Sequence, residues 1–168
     1  MPSRAVFLAF TAGLYFALAQ LGYFRQLEFD WSSTYVAYFS TVGLWLVGSL
    51  IGLCLTRRDL ELPLLALGLA AYHGTWLTIS THPFDSRFLP LYWLAIATTA
   101  LYTGYFFRHA RAAFASPRLL FFHENNGFLV GYALGGTVLL LYGHTEALLL
   151  PLGAALLHLI VKIVRYRR

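Results

Sequence analysis

The chain alternates between apolar runs of about twenty residues and short segments rich in Arg, Asp, Glu, Pro and His. An α-helix of about twenty residues rises roughly 30 Å, which is enough to cross the hydrocarbon layer of a membrane. The pattern therefore predicts an all-α polytopic membrane protein, a single bundle of six transmembrane helices over residues 1–168. The approximate spans are 5–24, 34–56, 63–82, 89–107, 119–143 and 148–165.

Local signals set several boundaries of these helices. Ser116 is followed by Pro117, the pairing of an N-cap with a first-turn proline, so the fifth helix is expected to begin there. It is expected to end at Gly143. The polar segment 25–33 is predicted to be the loop between the first two helices.

Composition supports the class of membrane protein, and the distribution of basic residues predicts how the chain is oriented in the membrane. Only 11% of the residues are charged, against about a quarter in soluble domains. Basic residues favour the cytoplasmic side, and in the six-helix arrangement ten fall on one side, whereas only Arg25 and Arg87 fall on the other. Both termini are therefore predicted to be cytoplasmic. The ten are Arg4, Arg57, Arg58, Arg108, Arg111, Arg118, Lys162, Arg165, Arg167 and Arg168.

The net charge of +5 does not indicate nucleic-acid binding, because the basic residues lie at helix ends and not on one face among stacking aromatics. The expected partner is the lipid bilayer. Eleven of the twelve basic residues are Arg, a bias typical of GC-rich bacterial genomes. The predicted location is a bacterial inner membrane.

The main candidate site is the polar cluster His123, Glu124, Asn125 and Asn126, which lies where the fifth helix enters the hydrocarbon. Ionisable groups at such positions are costly and are commonly functional. At 100° per residue, Glu124 shares a stripe with a doubled Gly-x-x-x-Gly pattern, Gly127, Gly131 and Gly135. Because such a stripe normally meets another helix, Glu124 is expected to face protein.

The sixth helix carries His158, Lys162 and Arg165 along one stripe. If helices five and six form an antiparallel hairpin, His158 lies level with Gly131 and Gly135. Glu124 is then expected to form an ion pair with Lys162 or Arg165. The glycines opposite His158 would leave room for a ligand, for a file of water or for the bulk of another helix.

Redox and metal chemistry are weaker alternatives. His73 and His158 lie at similar predicted depth on different helices, the minimal pair for bis-histidine haem b, and no other cofactor is expected. No metal site is predicted, since no His-x-x-x-His, His-Glu-x-x-His or Glu-x-x-His pattern occurs. The single cysteine, Cys54, excludes an intrachain disulfide.

Two further surfaces are candidates for interactions. Arg108, Arg111 and Arg118 are expected to contact anionic headgroups or phosphate on the cytoplasmic side. Small-residue faces favour close helix packing, and a homo-oligomer or a larger membrane complex is expected to use them. These faces carry Gly48, Gly52, Gly127, Gly131 and Gly135.

The leading functional hypothesis is non-enzymatic. A pocket in the cytoplasmic half is predicted to bind or conduct a small ion or polar solute, with histidine protonation as a gate. Its predicted lining is His73, His123, Glu124, Asn125, Asn126, His158 and Lys162. Two alternatives remain open: an accessory or scaffold subunit of a larger membrane complex, and a membrane enzyme that holds haem b or modifies lipid.

Overall fold

The computed structural model describes residues 2–30 and 34–166. Every regular element in those ranges is helical, which confirms the all-α prediction. Three short 3-10 turns, Arg58–Leu60, Ser86–Phe88 and Arg111–Ala113, lie between longer helices. The α-helices are α1 Pro2–Asp30, α2 Thr34–Cys54, α3 Glu61–Thr81, α4 Leu89–Ala110, α5 Pro117–Tyr142, α6 His144–Leu148 and α7 Leu150–Tyr166.

Three of the described helices contain stretches long and apolar enough to cross a membrane. These stretches are Arg4–Phe29, Tyr35–Cys54 and Arg58–Thr81. The apolar stretch of α7, Leu150–Ile163, is shorter. Length and composition therefore support membrane association of the chain, and the number of spans and their orientation remain predictions.

The first helix is longer than the sequence predicts. The expected loop at 25–33 is wrong for residues 25–30, which continue α1. Gln26 and Leu27 are fully buried there, so this last turn has a core-facing side. Arg25 and Glu28 form an ion pair three residues apart, which also suits helical geometry.

The chain divides into two compact units. The first comprises residues 1–21 and 107–168, and the second comprises residues 22–106. Helix α1 contributes its first two-thirds to the first unit and its last turns to the second.

In the first unit, the glycine stripe of α5 packs against α1 at backbone distance. A Cβ added at Gly127 would overlap the carbonyl oxygen of Phe10, and one added at Gly131 would lie 2.7 Å from the Cβ of Ala17. At Gly135 the nearest atoms belong to Leu18 and Leu21. Residue numbers rise together along these contacts, so α1 and α5 run in the same direction. The predicted close helix contact of this stripe is confirmed.

In the second unit, α2 and α4 pack in the same manner. A Cβ at Gly48 would overlap the carbonyl oxygen of Ala97, and one at Gly52 would overlap that of Leu101. From the other side, Gly104 of α4 approaches the backbone of Ser49. The five glycines that were predicted to serve an oligomer thus all make close contacts within the chain.

The predicted boundaries of α5 are confirmed. Ser116 has extended backbone angles, and its hydroxyl accepts a hydrogen bond from the Leu119 amide at 3.4 Å. Pro117 occupies the first turn, where its missing N–H leaves no hydrogen bond unmade. At the other end, Gly143 adopts a positive φ of 102° and ends the helix.

Candidate functional site

Glu124 is a buried carboxyl group on α5. Its relative exposure is 5%, and it lies two turns into the helix that Ser116 caps. The α5 backbone at Glu124 touches α1, since a Cβ added at Gly13 would overlap the Glu124 carbonyl oxygen. The expectation that Glu124 faces the interior of the fold is therefore confirmed.

No hydrogen bond or ion pair joins the Glu124 carboxylate to another described side chain. The predicted ion pair with Lys162 is wrong: Lys162 is half-buried and has other interactions. The side chain of Arg165, the alternative partner, lies outside the described residues. The close backbone contacts of the stripe that carries Glu124 are made by helix α1, so this stripe does not depend on the predicted hairpin with the last helix.

His158 of α7 is buried on α1. Its exposure is 1%, and its Nδ1 lies 3.0 Å from the Thr11 hydroxyl oxygen, a buried hydrogen bond. The space at Gly131 and Gly135 is filled by α1, which is the third of the expected occupants, the bulk of another helix. Glu124 and His158 thus both lie against the stretch of α1 from Phe10 to Gly13.

The rest of the polar cluster does not accompany Glu124 into the core. Asn125 is exposed, and His123 and Asn126 are half-buried. The His123 ring contacts Phe122 at 5.3 Å and Phe114 at 6.2 Å between ring centroids. Successive helix positions differ by 100°, so a single buried stripe accepts only one of four adjacent residues.

The two predicted haem ligands belong to different units. His158 is in the first unit, and half-buried His73 is in the second. Within the described residues no group of three His, Cys, Asp or Glu side chains has the arrangement of a metal site. The haem pairing stays a prediction.

The three arginines predicted to contact anions all lie in the first unit. Arg108 is in the last turn of α4, Arg111 begins the 3-10 turn, and Arg118 is in the first turn of α5. All three side chains are exposed. The Arg108 side chain also has an interaction within the chain, so it is not free.

A second group of buried polar residues was missed from the sequence. Gln26, Tyr72 and Tyr92 are each fully buried in the second unit. Gln26 had been assigned to a loop, so its burial was not considered. The available signal was helical spacing, since Tyr23, Gln26 and Leu27 recur at three and four residues and share one face.

The described fold is all-α, and three of its helices are long and apolar enough to cross a membrane. The chain matches no protein-family model, and no curated protein or solved structure shows significant similarity to it.

Proposed function

We propose that this chain is a six-span membrane protein that binds or conducts a small ion or polar solute at Glu124. The three helices of spanning length support the membrane part of the proposal. Helices α4 and α5, with 22 and 26 residues, are long enough for two further spans, and the 17 residues of α7 reach the lower limit for a sixth. The distribution of Arg supports cytoplasmic termini in a bacterial inner membrane.

The burial of Glu124 without a described partner carries the functional part of the proposal. An unpaired ionised carboxylate in a low-dielectric interior costs several kcal/mol. Such a group is stable when it holds a proton or when a cation binds to it. A proton or a small monovalent cation is therefore the species that this site favours.

His158 gives the proposal a second polar group in the same unit. It contacts Thr11, two positions from Gly13, where the backbone of Glu124 touches α1. Imidazole is the side chain whose ordinary protonation range lies near neutral pH. Protonation of His158 would change its hydrogen bond to Thr11, and this is the proposed gate.

The accessory-subunit alternative is less favoured. Under that alternative, the glycine faces would be free to dock a larger partner. Those glycines instead pack against α1 and α4. Docking of a partner would therefore have to use other faces of the helices.

The decisive experiment compares Glu124→Gln with Asp59→Asn, which changes an exposed carboxylate that pairs with Arg57. Each variant is reconstituted into liposomes, and proton flux is followed with an entrapped pH dye, with and without a Na⁺ gradient. We expect Glu124→Gln to reduce flux at least tenfold and Asp59→Asn to leave it unchanged.

Thermal stability separates this function from a structural role. Removing an unpaired buried carboxyl group should leave the melting temperature unchanged or raise it by about 2–4 °C, the shift that roughly 1 kcal/mol produces in a chain of this size. Unchanged flux with a lower melting temperature would instead identify Glu124 as half of a structural ion pair, and the proposal would be withdrawn.

A further inference from the structure

The second unit contains fully buried polar side chains that its own helices leave without partners. Gln26 on α1, Tyr72 on α3 and Tyr92 on α4 each have 0% exposure. Neither the amide nitrogen nor the amide oxygen of Gln26 has a hydrogen-bond partner in the described ranges, and the same holds for the hydroxyls of Tyr72 and Tyr92. Three helices thus direct polar groups into an interior that does not satisfy them.

A network of hydroxyl groups fixes the helices around these residues. The Tyr23 hydroxyl donates to the Thr99 hydroxyl oxygen at 2.8 Å, and the Ala95 carbonyl oxygen lies 3.2 Å from it. Thr99 in turn donates to the carbonyl oxygen of Gly68 on α3 at 3.0 Å. The network therefore connects α1, α3 and α4 and limits how far they can shift to pair the other polar groups.

Gln26 and Tyr72 are neighbours beside this network. Gln26 follows Tyr23 by one turn of α1, and the Tyr72 ring packs edge-on against Tyr23 with centroids 5.1 Å apart. The Tyr72 hydroxyl lies against Gly22, and the Gln26 amide lies close enough to that hydroxyl to interact with it, although no hydrogen bond of ordinary geometry joins the two groups. The two groups can therefore reach the same small molecule.

Unsatisfied groups of this kind are rare in native proteins. More than nine-tenths of buried polar groups have a hydrogen-bond partner, either protein or bound solvent. A glutamine amide offers two donors and an acceptor, so leaving all of them unbonded is especially costly. A bound molecule that both donates and accepts hydrogen bonds would satisfy the amide and the hydroxyl together.

We propose that Gln26 and Tyr72 hold one small neutral molecule that both donates and accepts hydrogen bonds, either water or a solute of the size of acetamide. The molecule is expected to be neutral because nearby formal charges are already compensated. Arg25 pairs with Glu28 in the same turn as Gln26. This site is independent of Glu124, so either proposal can fail without the other.

The first test compares thermal stability of the full chain in detergent across four single variants and one double variant. Gln26→Met and Tyr72→Phe keep shape and remove the polar groups. Gln20→Met, at a half-buried position of α1, and Tyr142→Phe, at an exposed one, are the matched controls. If a bound molecule bridges Gln26 and Tyr72, the variants Gln26→Met and Tyr72→Phe each melt several degrees lower than their controls. The double variant then loses less than the sum of the two single losses, because both side chains act through one ligand.

The second test distinguishes the two sources of the ligand. Acetamide is titrated into the wild-type chain and into Gln26→Met while melting is followed. A concentration-dependent rise confined to the wild-type chain identifies a solute site, whereas a rise in neither, combined with the coupled losses, identifies bound water. Core variants that melt at or above their controls would show that both groups are truly unpaired, and this outcome overturns the proposal.

Discussion

The Thr11 hydroxyl and His158 Nδ1 lie 3.0 Å apart and join the first described helix to the last across 147 positions of sequence. Both residues are buried, and Thr11 also donates to the Phe7 carbonyl oxygen at 3.0 Å. This contact places α7 on α1. It makes the first helix the common support of Glu124 and His158.

The hydrogen bond between Thr11 and His158 should contribute to stability. Thr11→Val keeps the branched shape and removes the hydroxyl group, and we expect a loss of about 1–2 kcal/mol because a buried polar partner is removed. Thr78→Val is the matched control, since the Thr78 hydroxyl donates only to the Gly74 carbonyl oxygen within its own helix. Chemical denaturation of both variants measures the difference. Equal losses in the two would show that the interhelical bond contributes nothing.

Close packing between α1 and α5 predicts opposite effects for two glycines of the same helix. Gly127→Ala places a methyl group on the Phe10 backbone and should destabilise the chain by about 1–3 kcal/mol or prevent folding. Gly136→Ala meets no atom within 4 Å and should stabilise it by up to about 1 kcal/mol through helix propensity. Thermal melting of both variants checks the pair. A tolerated Gly127→Ala would contradict the α1–α5 contact.

If α3 crosses the membrane, the residues before and after it lie on opposite sides. Cys54, exposed at the end of α2, provides a natural label on one side. In a Cys54→Ser background, Phe84→Cys provides the other, since Phe84 is 69% exposed in the segment after α3. In sealed inside-out vesicles, we expect an impermeant maleimide to label Cys54 but not the Phe84→Cys variant, and right-side-out vesicles should show the reverse. Labelling of both positions from one side would rule out this span.

Asp85 and Arg87 predict a pH-dependent change in the segment between α3 and α4. The Arg87 guanidinium donates to both Asp85 carboxylate oxygens, and these bonds, with a further one from the Arg87 backbone amide, lower the Asp85 pKa from 3.8 to about 2. A depressed folded pKa means that the interaction is fully present above about pH 4 and is lost as the pH falls towards 2. NMR titration of the carboxyl carbon measures this change.

Arg87→Ala should return the Asp85 pKa towards its ordinary value. Arg57→Ala serves as its control, because Arg57 pairs with Asp59 and not with Asp85. An Asp85 pKa that is unaffected by the loss of Arg87 would contradict this assignment.

Much of the fold follows from local sequence. Ser116, Pro117 and Gly143 act on the backbone immediately beside them, so they located α5 correctly. The end of α1 was misplaced, because Arg25, Gln26 and Glu28 suggested a loop by their polarity. The buried face formed by Gln26 and Leu27 exists only when the other helices of the second unit surround it.

The candidate site was predicted only in part. The stripe of Glu124, Gly127, Gly131 and Gly135 follows from a fixed 100° rotation per residue, so its burial could be anticipated. The helix that packs against this stripe could not be anticipated, since the stripe shows that a helix approaches without identifying that helix. The shortest connection favoured the last helix, whereas the Phe10 to Leu21 face of α1 occupies the position.

By itself, the sequence determined the helical class, the approximate helix ends and the side of α5 that is buried, because apolar periodicity and capping residues act within a few positions. The tertiary structure alone decided that α1 packs on that side, that His158 bonds to Thr11, and that Gln26 is buried. These outcomes depend on which helices become neighbours in space, and that choice rests on side-chain fit between segments that are far apart in the sequence, up to 147 positions for Thr11 and His158.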